Sequence, residues 1–183
     1  DNDGDLDLFF ANGHLNSVSG DNRQSNLLFE NDGLGHFADI SESSGVLATG
    51  KRIHRGAMFA DYNNDGRVDI YVTVNGQQVE DGSGNIVFDA NQGKGILLRN
   101  ETQTENSWIK VRLEGTESNR DGFGTIVNVR TADKLQKQAL SSGQGYFSSN
   151  AKELYFGLKE ADTIDQIDIL WPSGLHQSFQ NIP

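Results

Sequence analysis

Nine positions, gathered in two short stretches of the chain, have the residue types and the spacing to hold a hard cation. The first stretch is Asp1-Asn2-Asp3-Gly4-Asp5-Leu6-Asp7; the second, in the same register 62 residues on, is Asp61-Tyr62-Asn63-Asn64-Asp65-Gly66-Arg67-Val68-Asp69. Oxygen-bearing side chains at alternate positions can turn toward one ion, a glycine permits the tight turn between them, and a last carboxylate closes the loop. That is calcium chemistry. In the second loop Asp61, Asn63, Asp65 and Asp69 would ligate through side chains and Arg67 through its carbonyl, with its guanidinium in solvent. In the first, Asp1, Asp3 and Asp7 would give side chains and Asp5 its carbonyl. The counterpart of Asp61 would precede residue 1, so the sequence is expected to start inside a metal loop and to be the C-terminal part of a longer protein.

The elements that must position these side chains are strands. An EF-hand needs a helix on each side and a bidentate Glu at its twelfth position, and counting from Asp61 that position is Val72. Instead, the loops run into Leu8-Phe9-Phe10 and Ile70-Tyr71-Val72-Thr73-Val74, rich in β-branched and aromatic residues. Asp, Asn and Gly also gather in ordinary solvated turns. Two copies in register, each ending in Asp before an apolar strand, favour the metal loop.

With the strands added, the pattern resembles the FG-GAP or VCBS repeat, the calcium-loop blade of integrin-like β-propellers. Asn26-Leu27-Leu28-Phe29-Glu30-Asn31 returns as Gly95-Ile96-Leu97-Leu98-Arg99-Asn100, Gly33 to Ile40 is similar to the outer hairpin of such a blade, and Arg55 to Asp61 to its lead-in. The offset grows from 62 to 69 residues between the two matches, which places an insertion in Gln77 to Gly95, expected to be a long exposed loop. Past Asn100 the chain changes character. Gly115, Ser118-Asn119-Arg120-Asp121-Gly122-Phe123-Gly124, Ser142-Gly143-Gln144-Gly145-Tyr146, Leu154-Tyr155-Phe156-Gly157-Leu158 and Trp171-Pro172-Ser173-Gly174 resemble the ASPIC/UnbV domain that follows such repeats in cartilage acidic protein and its bacterial relatives. Phe123-Gly124-Thr125 departs from the small or aliphatic residue followed by Gly-Ala that relatives tend to carry there.

The expected fold is therefore all-β: C-terminal blades of a β-propeller over residues 1–104, then a small β-sandwich-like ASPIC/UnbV domain over 105–183 whose folding needs no calcium. Its alternating strands nominate Trp108, Ile109, Val111, Leu113, Val127, Val129, Ile167, Ile169 and Trp171 as core, and Trp171-Pro172-Ser173-Gly174 should end a strand in a turn.

Formal charge is -11. Residues 1–100 hold 15 acids and 7 bases, a net of -8, and the rest 11 and 8, a net of -3, so the acidity sits mainly with the loops. Such a surface disfavours nucleic acid and anionic lipid, and no apolar stretch approaches the ~20 residues of a membrane span. With no cysteine and with loops of a type that fills only at extracellular calcium levels, an exported protein is expected. The histidines His14, His36, His54 and His176 show no metalloprotease spacing, and no nucleophile elbow is present. The resemblance thus implies a calcium-stabilised, non-enzymatic binding, adhesion or scaffold module with a protein or glycan partner, within a larger assembly. Contacts are expected on Gln77 to Gly95 and on Ser118 to Gly124. An alternative is an accessory subunit of a biosynthetic or redox enzyme assembly.

Overall fold

Runs of β-branched and aromatic residues following each acidic loop can bury their apolar faces only by pairing into sheets. The computed structural model describes residues 1–14, 23–89, 93–132 and 134–183. It is all-β, with no α-helix among the described residues and one 3-10 turn at Val46–Thr49. The first loop feeds β1 (Leu8–Phe10), which pairs antiparallel with β2 (Leu27–Asn31), and β2 pairs with β3 (Phe37–Asp39). The second loop is entered from β4 (Ile53–Ala60) and feeds β5 (Asp69–Asn75), which lies between β4 and β8 (Ile96–Leu98). Phe9 faces Leu28 across β1–β2 as Tyr71 faces Leu97 across β5–β8. The sequence repeat is thus a repeat of strand register, in two blade-like sheets of three strands each.

The stretch from Gln77 to Gly95 is not the open loop its glycines suggest. It forms a hairpin, β6 (Gln77–Glu80) and β7 (Ile86–Asp89), which among the described residues pairs with neither blade. Its turn is closed by Asp81, whose Oδ1 accepts the N–H groups of Ser83 and Asn85, each at 2.9 Å. An Asp can nucleate a turn in this way where glycine count alone reads as disorder. Residues 90–92 of this stretch lie outside the described residues.

Beyond the blades, β9 (Ser107–Arg112) pairs with β12 (Glu153–Lys159), while β10 (Ile126–Arg130), β11 (Leu135–Ala139), β13 (Ile164–Leu170) and β14 (His176–Ile182) make a sheet of order β11-β10-β13-β14. One core cluster unites the two sheets: Leu113, Val127, Val129, Ile167, Ile169 and Trp171 are buried in it as expected, joined by Leu140, Leu154, Phe156 and Ile164. Ile109 and Val111 pack against it partly buried. Trp108, nominated for this core, is 39% exposed and lies outside it. In a strand successive side chains alternate faces, so Ile109 and Val111 take the core and Trp108 must look the other way. The edges of β11 and β12 are tied by side chains, Gln136 Nε2 donating to Gly157 O and Gln138 Nε2 to Tyr155 O, each at 2.6 Å. Trp171-Pro172-Ser173-Gly174 closes a turn, with Trp171 N donating to Leu175 O and Gly174 N to Trp171 O, each at 2.9 Å.

Phe156 is 1% exposed at the centre of this cluster. Phe156→Ala should lower unfolding free energy by about 3–5 kcal/mol, read from urea denaturation, whereas Phe147→Ala, at a ring 93% exposed, should change it by less than about 0.5 kcal/mol.

Candidate metal centre

The two acidic loops are copies in backbone conformation as well as in sequence. Asn2 and Asn64 have φ of 64° and 58°, and Gly4 and Gly66 have φ of 83° and 82°. Left-handed residues at the same two register positions bend each loop so that side chains meet backbone N–H groups two to five residues further on. In the second loop Asp61 accepts from Asp65 N at 2.9 Å and Gly66 N at 3.1 Å. Asn63 Oδ1 accepts from Asp65 N at 3.3 Å, and Asp65 Oδ1 from Arg67 N at 3.0 Å. The first loop repeats the last two, Asp1 Oδ1 accepting from Asp3 N at 3.0 Å and Asp3 Oδ1 from Asp5 N at 2.8 Å.

The closing carboxylates reveal partners that motif reading passed over. Asn100 N donates to Asp69 Oδ1 at 2.7 Å while its side-chain amide donates to Val68 O at 3.2 Å. Asn31 does the same in the first loop, its N donating to Asp7 Oδ1 at 2.9 Å and its amide to Leu6 O at 3.2 Å. Each Asn clamps the end of a loop to the neighbouring strand. The signal was present in the shared Asn that ends both Leu-Leu segments, but only the pairing of the strands gives it a role.

Residues 1–72 match the FG-GAP-like repeat family, and residues 115–183 match the ASPIC and UnbV family. The chain is an FG-GAP-like repeat followed by an ASPIC/UnbV region. No curated protein sequence matches it. FG-GAP repeats are typically extracellular or periplasmic, and both matched families are generally non-catalytic. Among the described residues no helix is long and apolar enough to cross a membrane.

The FG-GAP loops do not stand free in water. The outer face of β9–β12 covers the second loop: the Trp108 indole lies against Gly66, where an added Cβ would overlap the ring. Tyr155 accepts the Asp61 N–H at 3.2 Å and donates to Glu153 Oε2 at 2.9 Å. Burial, with the Glu153 bond and nearby carboxylates, pushes the Tyr155 hydroxyl up to about 12, so it stays protonated. β9 precedes residue 115, so the structure adds this strand to the ASPIC/UnbV match. The first loop is bound on the same side, with Lys159 N donating to Asn2 O at 3.1 Å and Asn106 Nδ2 to Asp1 O at 3.0 Å. Asn2 Nδ2 donates to Gly66 O at 3.2 Å and so joins one loop to the other.

The Asp61 side chain is fully buried and Asp69 is 2% exposed. Arg67 does not send its guanidinium to solvent: Nη2 donates to Asp65 Oδ2 at 2.7 Å and Nε to Asn100 O at 3.1 Å. An acidic neighbour two residues away and an unpaired carbonyl draw it back over the loop. Burial acts to raise the Asp65 carboxyl, but hydrogen bonds from Asn63 and Arg67 and the guanidinium charge hold it below its ordinary value. Asp7 is pushed above its ordinary value by burial, against the lowering Asn31 bond. Among the described residues no three His, Cys, Asp or Glu side chains converge on one point. The donor set is mixed instead: hard carboxylate, amide and carbonyl oxygens, the chemistry calcium accepts.

Beside the loops an open cleft of about 1350 Å³ lies between the two blades and the ASPIC/UnbV sheets, with Leu8, Phe9, Phe59, Ile70 and Tyr155 on its walls. The described residues lining it include no histidine. Asn119, in the Ser118 to Gly124 turn where partner contacts are expected, stitches its own turn through Phe123 N at 2.8 Å and Phe123 O at 2.7 Å.

Gly66→Ala should cost about 2–4 kcal/mol, combining a positive φ with overlap on the indole. In the double variant with Trp108→Ala the loss should be less than additive, because the overlap is gone. Additive losses in a urea-denaturation cycle would mean that the indole does not press on the loop.

Proposed function

We propose that this protein is a calcium-stabilised, non-enzymatic module that is exported and presents a protein- or glycan-binding surface, as part of a larger assembly. The observation that supports this most is the repetition of one loop conformation, with Asp61 and Asp69 buried and Asp1, Asp3, Asp5 and Asp65 half-buried. Like charges placed so close repel, and a divalent ion removes the repulsion. Asp61, Asn63, Asp65 and Asp69 with the Arg67 carbonyl would hold one ion; Asp1, Asp3 and Asp7 with the Asp5 carbonyl would hold another, through fewer oxygens. When bound, the ion would supply charge neutralisation and rigidity. The chain's own groups set the loop shape, through the Asn31 and Asn100 clamps, and shield Asp61 from water through Trp108 and Tyr155.

The partner would meet groups carried on rigid sheets. Among the described residues the β6–β7 hairpin pairs with neither blade, and the turn from Ser118 to Gly124 is fixed by Asn119 and by the Ser118 to Ser173 contact at 3.0 Å. Loops and hairpins held in this way are the usual seats of recognition. An accessory role in an enzyme assembly would ask for a convergent pocket with a strongly perturbed histidine or carboxylate away from the metal loops; the described lining of the cleft holds no histidine, and its carboxylates outside the loops are Glu30, Glu101 and Glu153.

Differential scanning calorimetry of the chain in calcium and in EDTA tests the metal role. Calcium at about ten times its dissociation constant should add about 1.4 kcal/mol per occupied site, and about 2.7 at a hundredfold. Asp69→Asn should abolish most of the gain from the second loop. Identical melting in calcium and in EDTA would contradict the proposal.

A further inference from the structure

Two lysines of the ASPIC/UnbV side reach back into the two FG-GAP loops, one to each. Lys110 of β9 donates to Asn64 Oδ1 at 2.7 Å, and its Nζ lies 3.6 Å from Asp61 Oδ2 and 3.9 Å from Glu153 Oε2. It also sits 5.9 Å from the centre of the Tyr155 ring. Lys134, just before β11, pairs with Asp5 in the first loop. Both ammonium groups are mostly covered, with side chains 21% and 31% exposed, and their partners Asp61 and Asp5 are 0% and 8% exposed. Ion pairs withdrawn from water this far are screened weakly by salt.

We propose that Lys110 and Lys134 set the calcium affinity of the two loops: each neutralises its loop when calcium is absent and opposes the ion's entry. The proposal rests on the calcium reading given above and adds the residues that tune it. Its physical basis is charge. A carboxylate as buried as Asp61 requires a positive neighbour, and a fixed ammonium a few ångströms from a metal loop subtracts from the field that attracts a dication. Both lysines belong to the C-terminal sheets and both acidic loops to the repeat. The seating of one module on the other and the filling of the loops are therefore linked, and by reciprocity each must bias the other. Arg67 contributes in the same sense from within the second loop, but its guanidinium is tied to Asp65 and Asn100, whereas the lysines arrive from another module.

Isothermal titration calorimetry with calcium chloride on the full, chelator-stripped chain decides this. Lys110→Gln and Lys134→Gln should each tighten one site about tenfold. Lys110→Arg, which keeps the charge, should stay within about twofold of wild type. Lys152→Gln is the control for net charge, since Lys152 pairs with Asp121 at 2.7 Å and with neither loop. In EDTA, both loop-lysine variants should melt below the Lys152→Gln protein, and calcium should close that gap. If Lys110→Gln fails to fold without metal, Lys134→Gln carries the test at the other loop. Affinities unchanged from the Lys152→Gln control, or weakened, overturn the proposal while leaving the calcium reading intact. Heat of binding in the lysine variants but not in wild type upholds it. No binding by wild type or by any variant removes the calcium reading and this proposal together.

Discussion

The Asp61 carboxylate has no solvent around it, and its burial is the constraint to which the rest of the structure answers. An ionised group in that position is tolerated only if protein dipoles and opposite charge replace the lost water. The N–H groups of Asp65 and Gly66 supply the dipoles, which requires the chain to turn at Gly66 with φ 82°. The absence of a Cβ at Gly66 then lets the Trp108 indole lie against the turn. Lys110 brings charge, and Tyr155 takes up the Asp61 N–H. Loop conformation, module docking and charge compensation thus form one arrangement, in which no part can be altered without exposing or stranding the carboxylate.

The first loop solves the same problem with different residues. Asp5 stands where Arg67 stands in the second loop, so it lacks the internal guanidinium, and its charge is met from outside by Lys134. Gly157 lies so close to Asn2 that an added Cβ would overlap the Asn2 backbone, and Lys159 N holds Asn2 O. The C-terminal sheets therefore grip both loops, and the bond from Asn2 to Gly66 O makes them neighbours. A module seated on both acidic loops at once is coupled to their conformation through these contacts.

Much of this was legible in the sequence because it depends on local pattern. The loop-to-strand passage, the matching Leu-Leu strands, the alternation of Val127 and Val129 or Ile167 and Ile169, and the Trp171 to Gly174 turn all follow from periodicity and turn chemistry. What escaped depends on contacts far apart in the chain. Trp108 reads as a core residue because it begins an apolar strand, yet its alternation phase sends it to the opposite face, where only the fold shows that a glycine awaits it. Arg67 reads as solvated until Asn100 O is brought beside it. Lys110 and Lys134 sit in strands or at their edges like any surface lysine, and nothing in their neighbours' identity points to loops many tens of residues away. The Asp81 turn was local but was hidden by the glycines around it.

Trp108 offers a direct optical test of the central claim, that a cation seats in the second loop beneath the C-terminal sheets. Its indole rests on Gly66 within that loop, so a terbium ion bound there should be sensitised by tryptophan excitation. The measurement is terbium luminescence of the full chain, excited through tryptophan, in wild type and in Trp108→Phe. Saturable emission that excess calcium displaces, and that falls to near background in Trp108→Phe while Trp171 is retained, is the expected result. Absent emission in wild type, or emission that persists undiminished in Trp108→Phe, would contradict a metal centre at this place.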